Sequence, residues 1–295
     1  MPNPLVSVVV STYNHQKYIA DCLEGILMQQ TTFPFEIILG EDESSDGTRE
    51  ICITYAEKHP DKIKLFLRSR EDVIYIKGNP TGRYNFLENI KACNGKYIAL
   101  CEGDDYWTDP LKLQKQVDFM EGNPEYNICF NRSYMLKDSS FILQEIPFPF
   151  KNAPFYYIEL LRHFNFMFTA SIVFRKPHNN SLPDWFREIN FGDLALYKIV
   201  SEGKRIGCIN DIMSVYRIHE NGIWSLFKPI ETKIQYLDFY KKIYFYLSQE
   251  EKIIVSDKIK KTLFQISKLK YPKNPIMNKV YYQYKLMIFN KYINT

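Results

Sequence analysis

The sequence predicts an α/β fold, a mostly parallel central sheet flanked by helices and followed by a helical extension. Over the first 105 residues, short β-branched runs alternate with stretches of helical periodicity, the pattern of strands linked by crossover helices. The first of these runs is continuously apolar, as a strand buried on both faces is. From about residue 227 the chain turns to Lys, Tyr and Ile at helical spacing. Its 295 residues, 45% apolar and 24% charged, are enough to bury a sizeable core and exclude a disordered or fibrous chain.

The elements follow in order. Residues 5–11, between Pro4 and Asn14, read as the first strand, and Tyr18, Ile19, Cys22, Leu23, Ile26 and Leu27 as the apolar face of a helix. Residues 35–39 form a second strand. Ser44, Ser45 and Asp46 then offer N-caps to a helix carrying Ile51, Cys52 and Tyr55. A strand over 63–67, a helix over 86–92 and a strand over 97–101 complete the regular half. Beyond it, Pro110 opens a helix to Met120, 128–134 reads as a strand and 137–154 as loop. A strand over 170–174, a helix over 193–201 and short strands over 206–209 and 213–218 follow.

The six cysteines form no CxxC pair and no Cys/His spacing for zinc, so they read as small core residues of a reducing compartment. No stretch approaches the roughly 18 apolar residues of a spanning helix, and the N-terminus has no basic region ahead of its apolar run. The expectation is a cytoplasmic protein. Residues 229–295 hold 13 Lys against five acids, a net of +8, so the first 228 residues carry −4 of the total of +4. An acidic body and a basic tail have different tasks.

Ligands of open parallel sheets bind beyond the carboxyl ends of the strands. Three of those ends carry chemistry: Ser11-Thr12-Tyr13-Asn14, Gly40 to Thr48 with Glu41 and Asp42, and Glu102-Gly103-Asp104-Asp105-Tyr106-Trp107. Taken alone, the last is a solvated acidic turn, a helix cap or a cation site. Its place between a buried strand and an aromatic pair favours a cation, Mg²⁺ or Mn²⁺, with positions left for phosphates. Neither GxGxxG nor GxxxxGK[ST] is present, so a diphosphate here needs a metal and basic side chains for neutralisation.

The segments VSVVVSTYNHQKYIADCLEGILMQ, FEIILGEDESSDGTREI and NGKYIALCEGDDYWTDPLKLQKQ, with FGDLALYKIV and SVYRIHENGIWS downstream, resemble the family 2 glycosyltransferases of GT-A fold. The likeness runs from about residue 4 to 225 and is nearest to bacterial enzymes that build capsule, O-antigen or other surface polysaccharides. It implies an inverting, metal-dependent transferase that moves a hexosyl or N-acetylhexosaminyl group from a nucleotide-diphosphate donor, by family default a UDP-sugar, to a glycan or lipid-linked glycan hydroxyl. The implied cofactor is Mn²⁺ or Mg²⁺.

By the same resemblance, Thr12, Tyr13 and Asn14 border base and ribose. Glu41 takes the place of the Asp that accepts from uracil, and Asp42 is the second acid of that segment. Arg83 and Asn85 approximate a pair that touches the base. Asp104 falls at the ribose and metal edge and Asp105 at the metal itself, while Glu102 stands where Asp is commoner. Asp193 matches the single catalytic base, which an inverting reaction needs within hydrogen-bond reach of the attacking hydroxyl. Arg217 matches a residue near the diphosphate, His219 a metal ligand or phosphate donor, and Trp224 a cover over a sugar.

The expected domains are a catalytic domain over 1–226 and a basic, amphipathic helical extension over 227–295. The extension packs as plain helix, attaches to the anionic inner face of the cytoplasmic membrane, or forms a homodimer. No recognised nucleic-acid motif accompanies its lysines. Two other classes compete. A sugar-nucleotide nucleotidyltransferase requires a glycine-rich basic N-terminal loop, which VSVVVSTYNHQ lacks, and an inactive binding protein would have lost Asp105 or Asp193.

Overall fold

A computed structural model describes residues 3–147, 155–177, 181–220 and 228–293. The chain forms two compact units, Met1–Glu188 with Gly192–His219, and Ile189–Phe191 with Glu220–Thr295. The boundary expected at 226/227 lies outside the described residues.

The first unit runs β1 (Val6–Thr12), α1 (Ile19–Leu27), β2 (Phe35–Glu41), α2 (Thr48–Lys58), β3 (Ile63–Leu67), β4 (Ile74–Ile76), β5 (Asn79–Thr81), α3 (Arg83–Ala92), β6 (Tyr97–Leu100) and β7 (Tyr106–Trp107). It continues with α4 (Lys112–Gly122), β8 (Tyr126–Lys137), β9 (Ser140–Leu143), α5 (Tyr157–His163), β10 (Ile172–Arg175), α6 (Gly192–Ser201) and β11 (Arg205–Ile218). The main sheet has the order β3-β2-β1-β6-β10-β8-β11-β7, with β9 on β8. β3, β2, β1 and β6 are parallel neighbours, as the alternating pattern predicts. Beyond them the sheet is mixed, since β10 runs antiparallel to both β6 and β8.

Burial explains the first strands. Val6, Val8 and Val10 of β1 pack with Ile19, Leu23 and Ile26 of α1 in a core that also takes Trp107 and Val117. The strand order reverses at β1, with β2 on one side and β6 on the other. The crevice at such a reversal is where an open α/β sheet takes its ligand. Gly103 N–H donates to Ser11 O at 3.0 Å, which sets the acidic loop after β6 beside the loop after β1.

Some expectations need correction. Residues 137–154 are not all loop, because Ser140–Leu143 turns back on β8 as β9. The hairpin turns through Asp138 and Ser139, both at positive φ, without the Asn-Gly or Asp-Gly signal that marks such a turn in sequence. The hairpin β4–β5 turns likewise at Lys77-Gly78. The two short strands expected over 206–218 are one long strand, β11, whose register shifts at three places against β8.

The second unit contains α7 (Pro229–Ile243), α8 (Gln249–Lys270) and α9 (Pro275–Ile293). Ser248 and Glu251 form a capping box that starts α8. Phe239, Ile243, Val255, Ile259, Leu263 and Phe289 are among its buried apolar residues. Among the described residues no helix is long and apolar enough to cross a membrane.

Candidate active site

The acidic loop after β6 meets two imidazoles. Asp104 Oδ2 lies 3.0 Å from His219 Nε2 and 3.7 Å from His15 Nε2. Burial pushes the Asp104 carboxyl up, but the hydrogen bond with His219 and the charges of both imidazoles outweigh it and hold the group below the usual range. Burial, opposed by the charge of Asp104, pulls His15 down. Asp105 is pushed well up by burial and by Asp104, and Glu102 up to about 8 by burial, Asp104 and Asp193. Neighbouring carboxyls that are buried in this way are all charged together only with compensating positive charge beside them.

Arg217 approaches this loop because of strand register. Ser214 pairs with Trp107 and Val215 with Tyr106 in antiparallel sense, so the next residues of β11 run back alongside Asp105 and Asp104. Arg217 N–H donates to Asp105 Oδ1 at 2.8 Å and its guanidinium to Asp104 O at 2.9 Å. The guanidinium also pairs with Asp21 and lies 4.3 Å from the centroid of the Tyr106 ring. Expected beside phosphate, Arg217 instead spends its donors on the acidic loop and is 10% exposed.

At the β1 and β2 ends, Thr12 is buried against His15 at 3.3 Å. Asn14, at φ 54°, ties the two loops together by accepting from Ser45 N–H and donating its own N–H to Ser44 Oγ. Glu41 is fully buried, and its oxygens are taken by Ser44 N–H and by Arg49. The structure therefore does not offer Glu41 to a base. Asp42 sits 2.7 Å from Arg70, whose guanidinium covers the exposed Tyr13 ring at 4.0 Å. Burial, opposed by Arg70, raises the Asp42 carboxyl to about 6. Asn85 is buried too, donating to Gly40 O and accepting from Arg68, so it braces the end of β2 and does not line the crevice.

Asp193 lies in the first turn of α6. Its Oδ1 accepts from Leu194 N–H at 2.8 Å and its Oδ2 from the Asn165 amide. Burial raises its carboxyl, with those donors and Arg83 acting against the shift. Arg83 is thus a neighbour of Asp193: it donates to Phe186 O at 3.1 Å, stacks over the Phe186 ring at 4.2 Å, and is lowered to about 10 by burial. The phenol of Tyr216, stacked flat on Phe168 at 4.7 Å, is raised by burial and then by Asp105, Asp104, Asp193 and Glu102. One tyrosine senses all four carboxyls, so the acidic loop and Asp193 lie on the same side of β11.

Sequence reasoning found no role for His15, Arg70, Asn165 or Tyr216. His15 was legible in principle, since it follows β1 by three residues and β1 adjoins β6. Arg70 and Asn165 depend on segments between the regular elements, and Tyr216, though within a quoted motif, is placed by the register of β11. Trp224 lies outside the described residues.

Among the described residues no three His, Cys, Asp or Glu side chains form a ready-made metal cluster. Asp105 Oδ2 is nonetheless buried with no hydrogen-bond partner, a costly state for a carboxylate oxygen. With Asp104 and His219 beside it, the donor set of oxygen and imidazole suits Mg²⁺ or Mn²⁺ that completes its coordination with oxygens from outside the protein.

Comparison with known proteins bears on family and fold. A family model described as glycosyl transferase family 2 matches residues 7–181. An uncharacterized Mycobacterium tuberculosis protein, Rv1520, is 33% identical over 226 residues, which is 74% of this chain and 60% of that protein. The chain thus spans about three-fifths of the length of its mycobacterial relatives. The Escherichia coli UDP-Glc:alpha-D-GlcNAc-diphosphoundecaprenol beta-1,3-glucosyltransferase WfaP is 28% identical over 221 residues, 74% of this chain and 79% of that one. Among solved structures, Staphylococcus aureus TarS 1-349 in complex with UDP-GlcNAc superposes with a TM-score of 0.64 at 17% identity, covering 97% of this chain and 81% of that one. The Pyrobaculum calidifontis mannosyltransferase PcManGT, in complex with GDP-Man and Mn²⁺, gives 0.61 at 14% identity, covering 99% and 86%.

Proposed function

The chain belongs to glycosyl transferase family 2 and has the GT-A fold; on that premise we propose that it transfers a sugar from a nucleoside-diphosphate donor to a hydroxyl of a surface glycan, with inversion at the transferred carbon. The observation that carries this reading is the acidic loop itself, where Asp105 Oδ2 is buried with no hydrogen-bond partner next to Asp104 and His219, with Asp193 as a further buried carboxyl. A site of this kind takes a polyanionic leaving group at one edge and a proton-accepting carboxylate at the other.

Asp193 is the proposed base. Its two oxygens are fixed by Leu194 N–H and Asn165, so the carboxylate is oriented before the acceptor arrives. Burial raises its proton affinity, which suits it to take the proton of the attacking hydroxyl. Arg83 keeps positive charge beside it, which favours the ionised form that must do so. At the opposite edge, Asp104, Asp105 and His219 would hold a divalent cation. Such an ion would supply positive charge to a departing diphosphate, and no general acid would then be required.

The donor base rests, in this reading, beside the exposed Tyr13 ring, one face of which Arg70 covers while it pairs with Asp42. UDP is the favoured nucleotide, supported by the donor in the name of the E. coli relative and by the ligand of the TarS complex. The diphosphoundecaprenol in the former name supports a lipid-linked glycan acceptor.

Thermal stability of the protein with UDP, GDP, CDP and TDP, each with and without Mn²⁺, tests the reading, because a ligand of the native state raises apparent stability by mass action. A rise for one diphosphate that requires the cation is the expected result. No rise with any of them removes the donor site.

A further inference from the structure

The second unit carries a feature that sugar transfer does not explain. Ile276, Val280, Tyr284 and Met287 recur along α9 on one stripe, and all are exposed, Ile276 to 75% and Met287 to 61%. The inward side of the same helix is anchored by Phe289, at 1%. Apolar side chains so exposed and so contiguous mark a surface made for contact.

The charge around the stripe identifies the contact. Residues 258–295 contain nine lysines and neither Asp nor Glu. Lys279 and Lys285 border the stripe, and Lys291 follows it by one turn. Lys285 Nζ lies 5.7 Å from the Tyr281 centroid and 5.9 Å from that of Tyr284, an aliphatic stem laid along aromatic rings with its ammonium at the edge.

We propose that α9 is an interfacial helix that docks on an anionic lipid surface, burying Ile276, Val280, Tyr284 and Met287 among the acyl chains and setting its lysines against the headgroups. An apolar stripe edged by lysine, with tyrosine at the boundary, is the composition such a helix requires. A two-fold dimer through the same stripe sets this lysine-bearing face against a second lysine-bearing face, with no acid in residues 258–295 to neutralise either. A nucleic acid answers the lysines but leaves the aliphatic residues against water or phosphate. The inference is read from the second unit alone and stands apart from the catalytic reading.

Co-sedimentation of the full chain with vesicles of phosphatidylcholine, alone or mixed with phosphatidylglycerol, is the test. Binding is expected only to the mixed vesicles and weakens with salt. Val280→Ser with Met287→Ser removes exposed groups and lowers binding at least about tenfold, at roughly 0.8 kcal/mol per buried methylene. Lys279→Gln with Lys285→Gln lowers it about fivefold per lysine, or about 1 kcal/mol each. Unchanged circular dichroism shows that both variants are folded, and a retained thermal response to nucleotide separates this result from failure of the donor site. Absence of binding to mixed vesicles, equal binding to both kinds, or variants that bind as the parent does would overturn the proposal. So would a dimer in light scattering that the serine variant dissociates while no vesicle binds, which assigns the stripe to a second copy.

Discussion

Arg217 holds Asp105 through the main chain: its backbone N–H donates to Asp105 Oδ1 at 2.8 Å, and Asp105 Oδ2 is left buried with no hydrogen-bond partner. The guanidinium, meanwhile, grips Asp104 O and Asp21. The strand end thus fixes the Asp105 carboxylate and the main chain of Asp104 and leaves one oxygen for an outside ligand. Arg217→Lys keeps the positive charge but cannot span the carbonyl and Asp21 together. Cation-dependent nucleotide affinity is therefore expected to fall about tenfold, with the fold intact. Calorimetric titration of UDP with Mn²⁺ measures it, and an unchanged affinity would show that the fork does not order the loop.

Asp193→Asn keeps the shape of the side chain and removes its ability to take a proton. Transfer is expected to fall about 10²- to 10⁴-fold, the usual share of a general base. Nucleotide binding should persist, because Asp193 sits at the opposite edge of the pocket from Asp104 and Asp105 in the proposed arrangement. Product formation and nucleotide affinity, measured on the same preparation, separate the two effects. Turnover near that of the parent takes Asp193 out of the mechanism.

Gly25 sits in α1 where a Cβ would lie 2.8 Å from Trp107 O and 2.9 Å from Trp107 N. The obstacle is backbone, which cannot swing aside. Alanine ordinarily favours a helix by about 1 kcal/mol over glycine, yet Gly25→Ala is expected to destabilise the protein by about 1–3 kcal/mol through overpacking. Trp107 follows Asp105 by two residues, so the displacement also reaches the acidic loop. A urea titration reads the stability loss, and a Gly25→Ala variant as stable as the parent would mean that the helix moves freely over β7.

The parts that the sequence shows and those it hides differ in physical kind. The run VSVVVS is a buried parallel strand for a reason contained in its own residues, and the sheet order then places residues 12–15 beside 102–105. Asp104 and Asp105 could be singled out because adjacent carboxyls after such a strand need an explanation. By contrast, Arg217 meets Asp104 through a two-residue strand, β7, too short to leave any periodic signal. Asn165 reaches Asp193 from a segment with no regular element. Glu41 illustrates the opposite limit: the family resemblance implied a base contact, but Arg49, in the first turn of α2, occupies it.

Lys112 offers a test of burial itself. It is 0% exposed, donates Nζ to Gln116 Oε1 at 2.6 Å and lies 4.1 Å from the centroid of the Trp107 ring. Removal from water is the chief cause that brings its ammonium down to about 7, against an ordinary value of 10.5. Between those two values the unfolded chain binds a proton that the folded chain does not. Stability therefore rises with pH across that window, by about 1.4 kcal/mol per pH unit at most, and the contribution is lost as pH falls through 7. Lys112→Met fills similar space and cannot titrate. From pH 7 to pH 9 the parent is expected to gain about 2 kcal/mol relative to this variant in urea unfolding. Parallel stability curves for the two chains would mean that Lys112 keeps its proton in the folded state, held there by Gln116 and the face of Trp107.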